Sequence, residues 1–260
     1  MSVTYSQYNR DLNLPDKILK QLPDDLNSGS YRGCWIIAEE GGTVVGCARY
    51  TTHPIGCLVD WIFDDWAEFL SGAQWVDGLW VKPEYRGKGI GRGILSRVSR
   101  ADEFDRPINI IVESSAELIP WYEGQGFNVV RKHWNLKPDY HKNFTRLYTP
   151  KQILEGKPLE KATKALMSSW CCTLEVPLED ALQMYSDIAG DWAEGIFKIK
   201  NNYAYYCDKN GGIIHHFSGD IKTILAGLCL SKPIHQVWTF VDQDDLPEDI
   251  ATLDGAMLLC

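Results

Sequence analysis

No run of apolar residues in this sequence approaches the roughly 20 that a membrane-spanning helix requires, which excludes a helical membrane protein. Its first residues, MSVTYSQYNRD, contain no basic stretch leading into an apolar one, so no secretory signal is expected. The eight cysteines include no C-x-x-C pair, which argues against a zinc ribbon or a thioredoxin-like site. Buried free thiols in a reducing cytoplasm are the expectation instead. Residues 151–260 contain no arginine; nine lysines face sixteen carboxylates there, a net charge of −7. A nucleic-acid surface needs clustered cations, so stable binding of DNA or RNA is not expected of that part. Two common phosphate-binding templates are missing as well. Neither G-x-G-x-x-G nor G-x-x-x-x-G-K-[ST] occurs where a strand runs into a helix.

What is present is the composition of a globular protein, 45% hydrophobic and 23% charged, with a net charge of −9 over 260 residues. That length suffices for two domains and a sizeable core. The stretch from Gln74 to Phe104 organises the rest. Gln74 to Val81 reads as a buried strand, and Pro83 ends its ladder because it has no N–H to donate. Glycines follow at 87, 89, 91 and 93, interleaved with Arg86, Lys88 and Arg92. Apolar residues at Ile90, Ile94, Leu95 and Val98 then have the spacing of an amphipathic helix. A glycine-rich turn opening a helix leaves N–H groups free where the helix dipole is positive. That arrangement cradles a phosphate or pyrophosphate.

Val81-x-Pro83-x-Tyr85-Arg86-Gly87-x-Gly89-Ile90-Gly91 resembles the acetyl-CoA signature of the GNAT superfamily of N-acyltransferases, with Arg86, Gly89 and Gly91 in its R/Q-x-x-G-x-G/A core. Downstream, Trp121-Tyr122-Glu123-Gly124-Gln125-Gly126-Phe127 is similar to that family's aromatic-Tyr-x-x-x-Gly-Phe segment. The resemblance covers roughly residues 1–150. It implies an α/β fold: a GNAT-like mixed, splayed sheet flanked by helices. Acetyl-CoA is the implied co-substrate, and transfer of its acetyl group to a primary amine the implied activity. Backbone groups of Leu79, Trp80 and Val81 would meet the pantetheine arm. The N–H groups of Gly87, Lys88, Gly89, Ile90 and Gly91 would take the pyrophosphate, with Arg86, Lys88 and Arg92 adding charge. A small-molecule or peptide amine is the expected partner, with a homodimer left open.

Strands are expected at Val3–Tyr8, Gly33–Glu39, Val44–Thr51 and Ile108–Val112, and a short helix at Leu14–Leu22. Another helix, Leu58–Leu70, carries Asp60, Asp64 and Glu68 on one side, either a solvated face or an acidic wall for a cationic amine. Helix Ala116–Gly124 precedes two last strands, Phe127–Trp134 and Asn143–Tyr148. A boundary is expected at Thr149-Pro150, making 1–150 one domain and 151–260 a smaller, acidic α+β domain of no recognised family. In that second part the expectations are a helix at Lys151–Trp170, strands at Cys171–Val176, Gly195–Ile199, Tyr203–Cys207 and Ile213–Phe217, a helix at Asp220–Leu230 and a final strand at Gln236–Val241.

Acyl transfer to an amine requires the reactants held together, a neutral amine, and a proton for the leaving thiolate. Tyr122 is the candidate general acid, since a phenol of pKa near ~10 is protonated at neutral pH; the alternative is a packed aromatic. Asp77, alone in an apolar strand, is the candidate base, with Glu113 at the end of the next strand as its rival. The family often has Asn at the latter position. His133 and His141 could border the acceptor. His215 and His216 would point to opposite faces of a strand and so not share a metal; none is expected. A rival to the enzyme is a non-catalytic acyl-CoA-binding or protein-interaction module on the same scaffold.

Overall fold

A computed structural model describes residues 2–9, 14–27, 33–51, 73–100, 109–143, 148–153, 156–174, 195–207, 211–229, 232–240 and 243–260. It divides into two compact units. The first comprises Met1–Glu113, Gly124–Phe127 and Leu259–Cys260; the second, Ser114–Glu123 and Asn128–Leu258. The two units interleave along the chain. The segment Asn128–Leu136 is a strand of the second unit's sheet, while Leu259–Cys260 belong to the first.

In the first unit, strands β1 (Thr4–Tyr8), β2 (Cys34–Glu40), β3 (Thr43–Thr51), β4 (Ala73–Val81) and β5 (Asn109–Ser115) lie side by side in that order. Helices α1 (Asp16–Leu19) and α2 (Asp24–Asn27) follow β1, and α3 (Ile90–Val98) joins β4 to β5. Gly41 and Gly42 adopt φ of +60° and +82°, the left-handed conformation that the β2–β3 hairpin turn requires. Cys34 to Ala38 are buried without interruption, the pattern of a strand covered on both faces. One core unites Leu14, Ile18, Leu22 and Leu26 with Trp35, Ile37, Val44 and Cys47. The apolar stripe of α3, Ile90, Ile94, Leu95 and Val98, is buried as its spacing requires. It seats at Gly46, where an added Cβ would come within 3.1 Å of both Ile90 and Ile94.

The pairing of β4 is irregular on both of its sides. Its antiparallel ladder with β3 passes from Arg49↔Gly78 to Tyr50↔Val76, so Asp77 is the extra residue of a bulge. Its parallel ladder with β5 runs from Ala73↔Asn109 to Val76↔Val112 and ends at that bulge.

The second unit contains α4 (Ile119–Glu123), β6 (Asn128–Leu136), β7 (Lys151–Ile153), α5 (Gly156–Leu174), β8 (Gly195–Ile199), β9 (Asn202–Cys207), β10 (Ile213–Ser218), α6 (Ile221–Leu228), β11 (Gln236–Phe240) and β12 (Ala251–Leu259). Its sheet has the order β12-β6-β11-β10-β9-β8-β7. Trp134, Tyr206, Ile214 and Val237 pack with Ile224, Leu225 and Leu228 of α6 to form its core.

Several sequence expectations change here. Lys151–Ile153 is a strand paired with Lys198–Ile196, not the start of a helix; the helix begins at Gly156, whose φ is +64°. It continues through Leu174, across the strand expected from Cys171. Asn143 ends a short 3-10 turn, and residues 144–147 of the strand expected over Asn143–Tyr148 lie outside the described residues. Gln236–Phe240 is followed by one more strand, β12, in which Gly255 is obligatory because a Cβ there would collide with the carbonyl oxygen of Ser114. The bulge at His215 breaks the expected alternation. Both His215 and His216 lie near the Tyr205 ring, at 5.6 and 6.4 Å between centroids. No described helix is long and apolar enough to cross a membrane.

Candidate active site

Between β4 and α3 the chain makes a 3-10 turn at Pro83–Tyr85 and then the glycine-rich loop. Gly87 and Gly89 have φ of +75° and +78°, a conformation costly for residues with a Cβ. No atom lies within 4 Å of where a Cβ would stand at either, so these glycines serve the turn and keep open space beside the backbone. Gly89 occupies the position before α3 and offers no side chain to cap it. The first intrahelical bond is Gly93 N–H to the Gly89 carbonyl, at 2.9 Å. The N–H groups of Ile90, Gly91 and Arg92 therefore precede the helix's own bonding. No acidic residue stands in that first turn.

The flanking charges are arranged around this opening. Arg86 is exposed, and its Nε donates to the Val81 carbonyl at 3.1 Å. The Lys88 ammonium sits 4.5 Å from the centroid of the Tyr85 ring. The nearest carboxylate in sequence, Glu84, is engaged by Lys82 at 3.0 Å. Arg92 turns elsewhere: its Nε donates to Gln125 Oε1 at 2.6 Å. Nothing in the sequence marks Gln125 as that partner. There α3 walls a cavity of about 270 Å³ with Ile110, Phe127 and Cys260.

Beyond the bulge, β4 bonds only to β3 among the described ladders. Val81, Trp80 and Leu79 pair with Gly46, Cys47 and Ala48, while the ladder to β5 has already ended at Val76. A strand parted from its parallel neighbour has one row of backbone donors and acceptors available to a third chain of amides. Leu79 to Val81 lie in that row, directly before the glycine-rich loop. Leu79 to Val81 and the glycine-rich loop thus form one continuous segment of the first unit.

The remaining sequence candidates fall on several elements. Asp77 is the bulged residue of β4, though its side chain lies outside the described residues. Asp60, Asp64 and Glu68, and the side chain of His141, also lie outside them. Glu113 is exposed near the end of β5. Tyr122 belongs to α4 of the second unit. It is 5% exposed, stands edge-on to Trp121 at 4.8 Å, and burial pushes its phenol up to about 12. His133 stacks on its cross-strand neighbour Trp238 at 4.9 Å. Burial, then the charge of Arg131 and the neighbouring His215, lowers its pKa to about 2, so it is a neutral ring. No group of His, Cys, Asp and Glu suited to a metal ion occurs among the described residues.

A parallel ladder that ends early beside an open, glycine-presented helix start is the defining geometry of this α/β unit. Residues 31–129 match the family model of the acetyltransferase (GNAT) domain. Residues 31–129 thus form a domain of the GNAT superfamily. Among solved structures the chain is similar to an acyl-CoA N-acyltransferase from Pseudomonas aeruginosa: 17% identity, 50% of this chain and 90% of that one, TM-score 0.36. It is also similar to the ribosomal-protein-S18-alanine N-acetyltransferase of Escherichia coli: 16% identity, 50% of this chain and 81% of that one, TM-score 0.35. A tandem GNAT protein from the clavulanic acid biosynthesis pathway is 12% identical and covers 100% of this chain and 98% of its own, with TM-score 0.43. Among curated proteins none matches significantly.

Proposed function

We propose that this protein is an N-acetyltransferase that moves an acetyl group from acetyl-CoA to a primary amine by direct attack. The observation that carries the reading is the uncapped start of α3, presented by left-handed Gly87 and Gly89 directly after a strand freed from its parallel partner. Family membership supports the same chemistry. The N–H groups from Gly87 to Gly91 hold the pyrophosphate, and Arg86 and Lys88 add long-range attraction. Backbone groups of Leu79 to Val81 align the amide arm. Acetyl-CoA supplies the thioester carbonyl that the amine attacks.

The amine lone pair forms the C–N bond as the C–S bond breaks. The proton shed by the amine nitrogen passes to a base, Asp77 or Glu113. Tyr122 donates its hydroxyl proton toward the departing sulfur, for which its raised pKa keeps it protonated at neutral pH. Holding both reactants in line supplies much of the rate, since well-oriented encounters are worth roughly 7–11 kcal/mol. The acceptor class is a primary amine on a small molecule or peptide. Incubation with labelled acetyl-CoA and a panel of amines, read by mass spectrometry, tests this: transfer to at least one amine is expected. CoA binding with no transfer to any would leave the non-catalytic binding module as the better reading.

A further inference from the structure

The second unit repeats the strand plan of the first. Strands β7, β8, β9 and β10 neighbour one another as antiparallel pairs, as β1 to β4 do. In both units the fourth strand then lies parallel to the fifth, with one described helix between them, α3 or α6. The agreement extends to irregularities. Like β4 at Asp77, β10 carries one bulged residue, because its ladder passes from Ile214↔Tyr206 to His216↔Tyr205 and steps over His215. The parallel ladder of each unit also ends at its bulge, at Val76↔Val112 and at Ile214↔Val237. His216–Ser218 therefore corresponds to Gly78–Trp80, and the start of α6 to the start of α3.

At both equivalent places the second unit has filled itself. Asp220 precedes α6, and its carboxylate accepts from the N–H groups of Lys222 and Thr223 at 3.2 and 3.1 Å and from the Thr223 hydroxyl at 2.5 Å. These are the donors that an anion would need, already satisfied by a negative charge. Only Gly219 separates β10 from Asp220, where the first unit has a loop of several residues. Between the parted strands, Gln243 closes the gap. Its Oε1 accepts from Phe240 N–H of β11 at 2.9 Å, and its Nε2 donates to the Phe217 carbonyl of β10 at 2.9 Å. One side-chain amide thus joins the two strands as a bound arm of amides would. Trp238, under the Arg131 guanidinium at 3.8 Å and against His215 at 4.1 Å, adds bulk beside it.

We infer that the second unit is a further copy of the acyltransferase fold sealed from within, Asp220 standing for the pyrophosphate and Gln243 for the amide arm, so that the chain takes one CoA and takes it in the first unit. This rests on the cofactor reading of the first unit, and the experiment separates the two. CoA is titrated calorimetrically into the wild-type protein and into Gly89→Asp, and hydrogen exchange is mapped with and without CoA. The expected results are one site per chain, none in the variant, and CoA-dependent protection at residues 79–92 but not at 217–223. Two sites per chain, binding that survives Gly89→Asp, or protection at 217–223 would overturn the inference. Absence of CoA binding in the wild type would sink the cofactor reading. The sealing is read independently of CoA through Gln243→Ala, in which the Phe240 amide should exchange at least tenfold faster. An unchanged Phe240 rate would refute the plug.

Discussion

Replacing Tyr122 by Phe removes one hydroxyl and leaves the ring that packs edge-on against Trp121. The size of the effect depends on how the phenol is held. Burial raises its pKa to about 12, well above its ordinary value. A thiolate leaving group resembles a free thiol of pKa about 8.5, so complete proton transfer from this phenol would be uphill by roughly 3–4 units, on the order of 5 kcal/mol. As a general acid, Tyr122 would therefore act by a strengthening hydrogen bond to sulfur more than by full protonation. General acids contribute about 10²–10⁴-fold, and a donor this weak belongs at the lower end. Tyr122→Phe should lower kcat about 10²-fold, equivalent to about 2.7 kcal/mol of barrier. KM for acetyl-CoA should change less than twofold, because the proposed pyrophosphate contacts belong to another segment. Steady-state release of free thiol, with acetyl-CoA and amine varied separately, measures both. The pH profile gives a second check. A group with its folded pKa above the unfolded value of about 10 contributes stability that is present below pH ~10 and lost as pH rises toward 12. The wild type should thus lose stability across that window more steeply than the Phe variant. A kcat within a factor of two of wild type would refute the acid role and leave Tyr122 as packing.

Three further outcomes are expected. Arg86→Gln should raise KM for acetyl-CoA several-fold while kcat stays, and the salt dependence of kcat/KM should flatten, as expected for an exposed charge worth about 0–1 kcal/mol. Ile94→Ala, at a fully buried position of α3 against Gly46, should destabilise the protein by about 2–5 kcal/mol in urea unfolding. Asp220→Ala removes a helix cap worth about 1 kcal/mol and should lower Tm by a few degrees, with KM for acetyl-CoA unchanged in initial-rate kinetics.

The β4–α3 segment was legible because its signals are local. Alternating glycines with interleaved cations mark the turn, and Ile90, Ile94, Leu95 and Val98 mark the helix face, all within a few residues. The second unit's repeated strand plan was hidden for the opposite reason. Its fold is carried by strand order and bulges, which leave no composition signal, while its loop kept neither the glycines nor the cations. Ile153 and Leu154 near Ala162 and Ala165 have helical spacing, yet Lys151–Ile153 pair with β8, a contact more than forty residues away. Gln243 is a polar loop residue in sequence; its value depends on two backbone groups, one of them on β10. Asp77 stood out as a lone carboxylate in an apolar run, but that it is the bulged residue depends on its pairing with β3.

Ile110 and Cys260 exchange a pair of backbone hydrogen bonds, at 2.9 and 3.0 Å, within the first unit. This has a consequence for biosynthesis. A ribosome adding about 5–20 residues per second needs on the order of ten seconds to travel from one to the other. Throughout that interval the nascent β5 presents an apolar strand edge with its natural cover still unmade, the kind of edge on which chains stick to one another. A gene cut at residue 150 would make that exposure permanent. Yield from such a half-length fragment should come chiefly as insoluble material, recoverable in soluble form when the missing half is produced in the same cell.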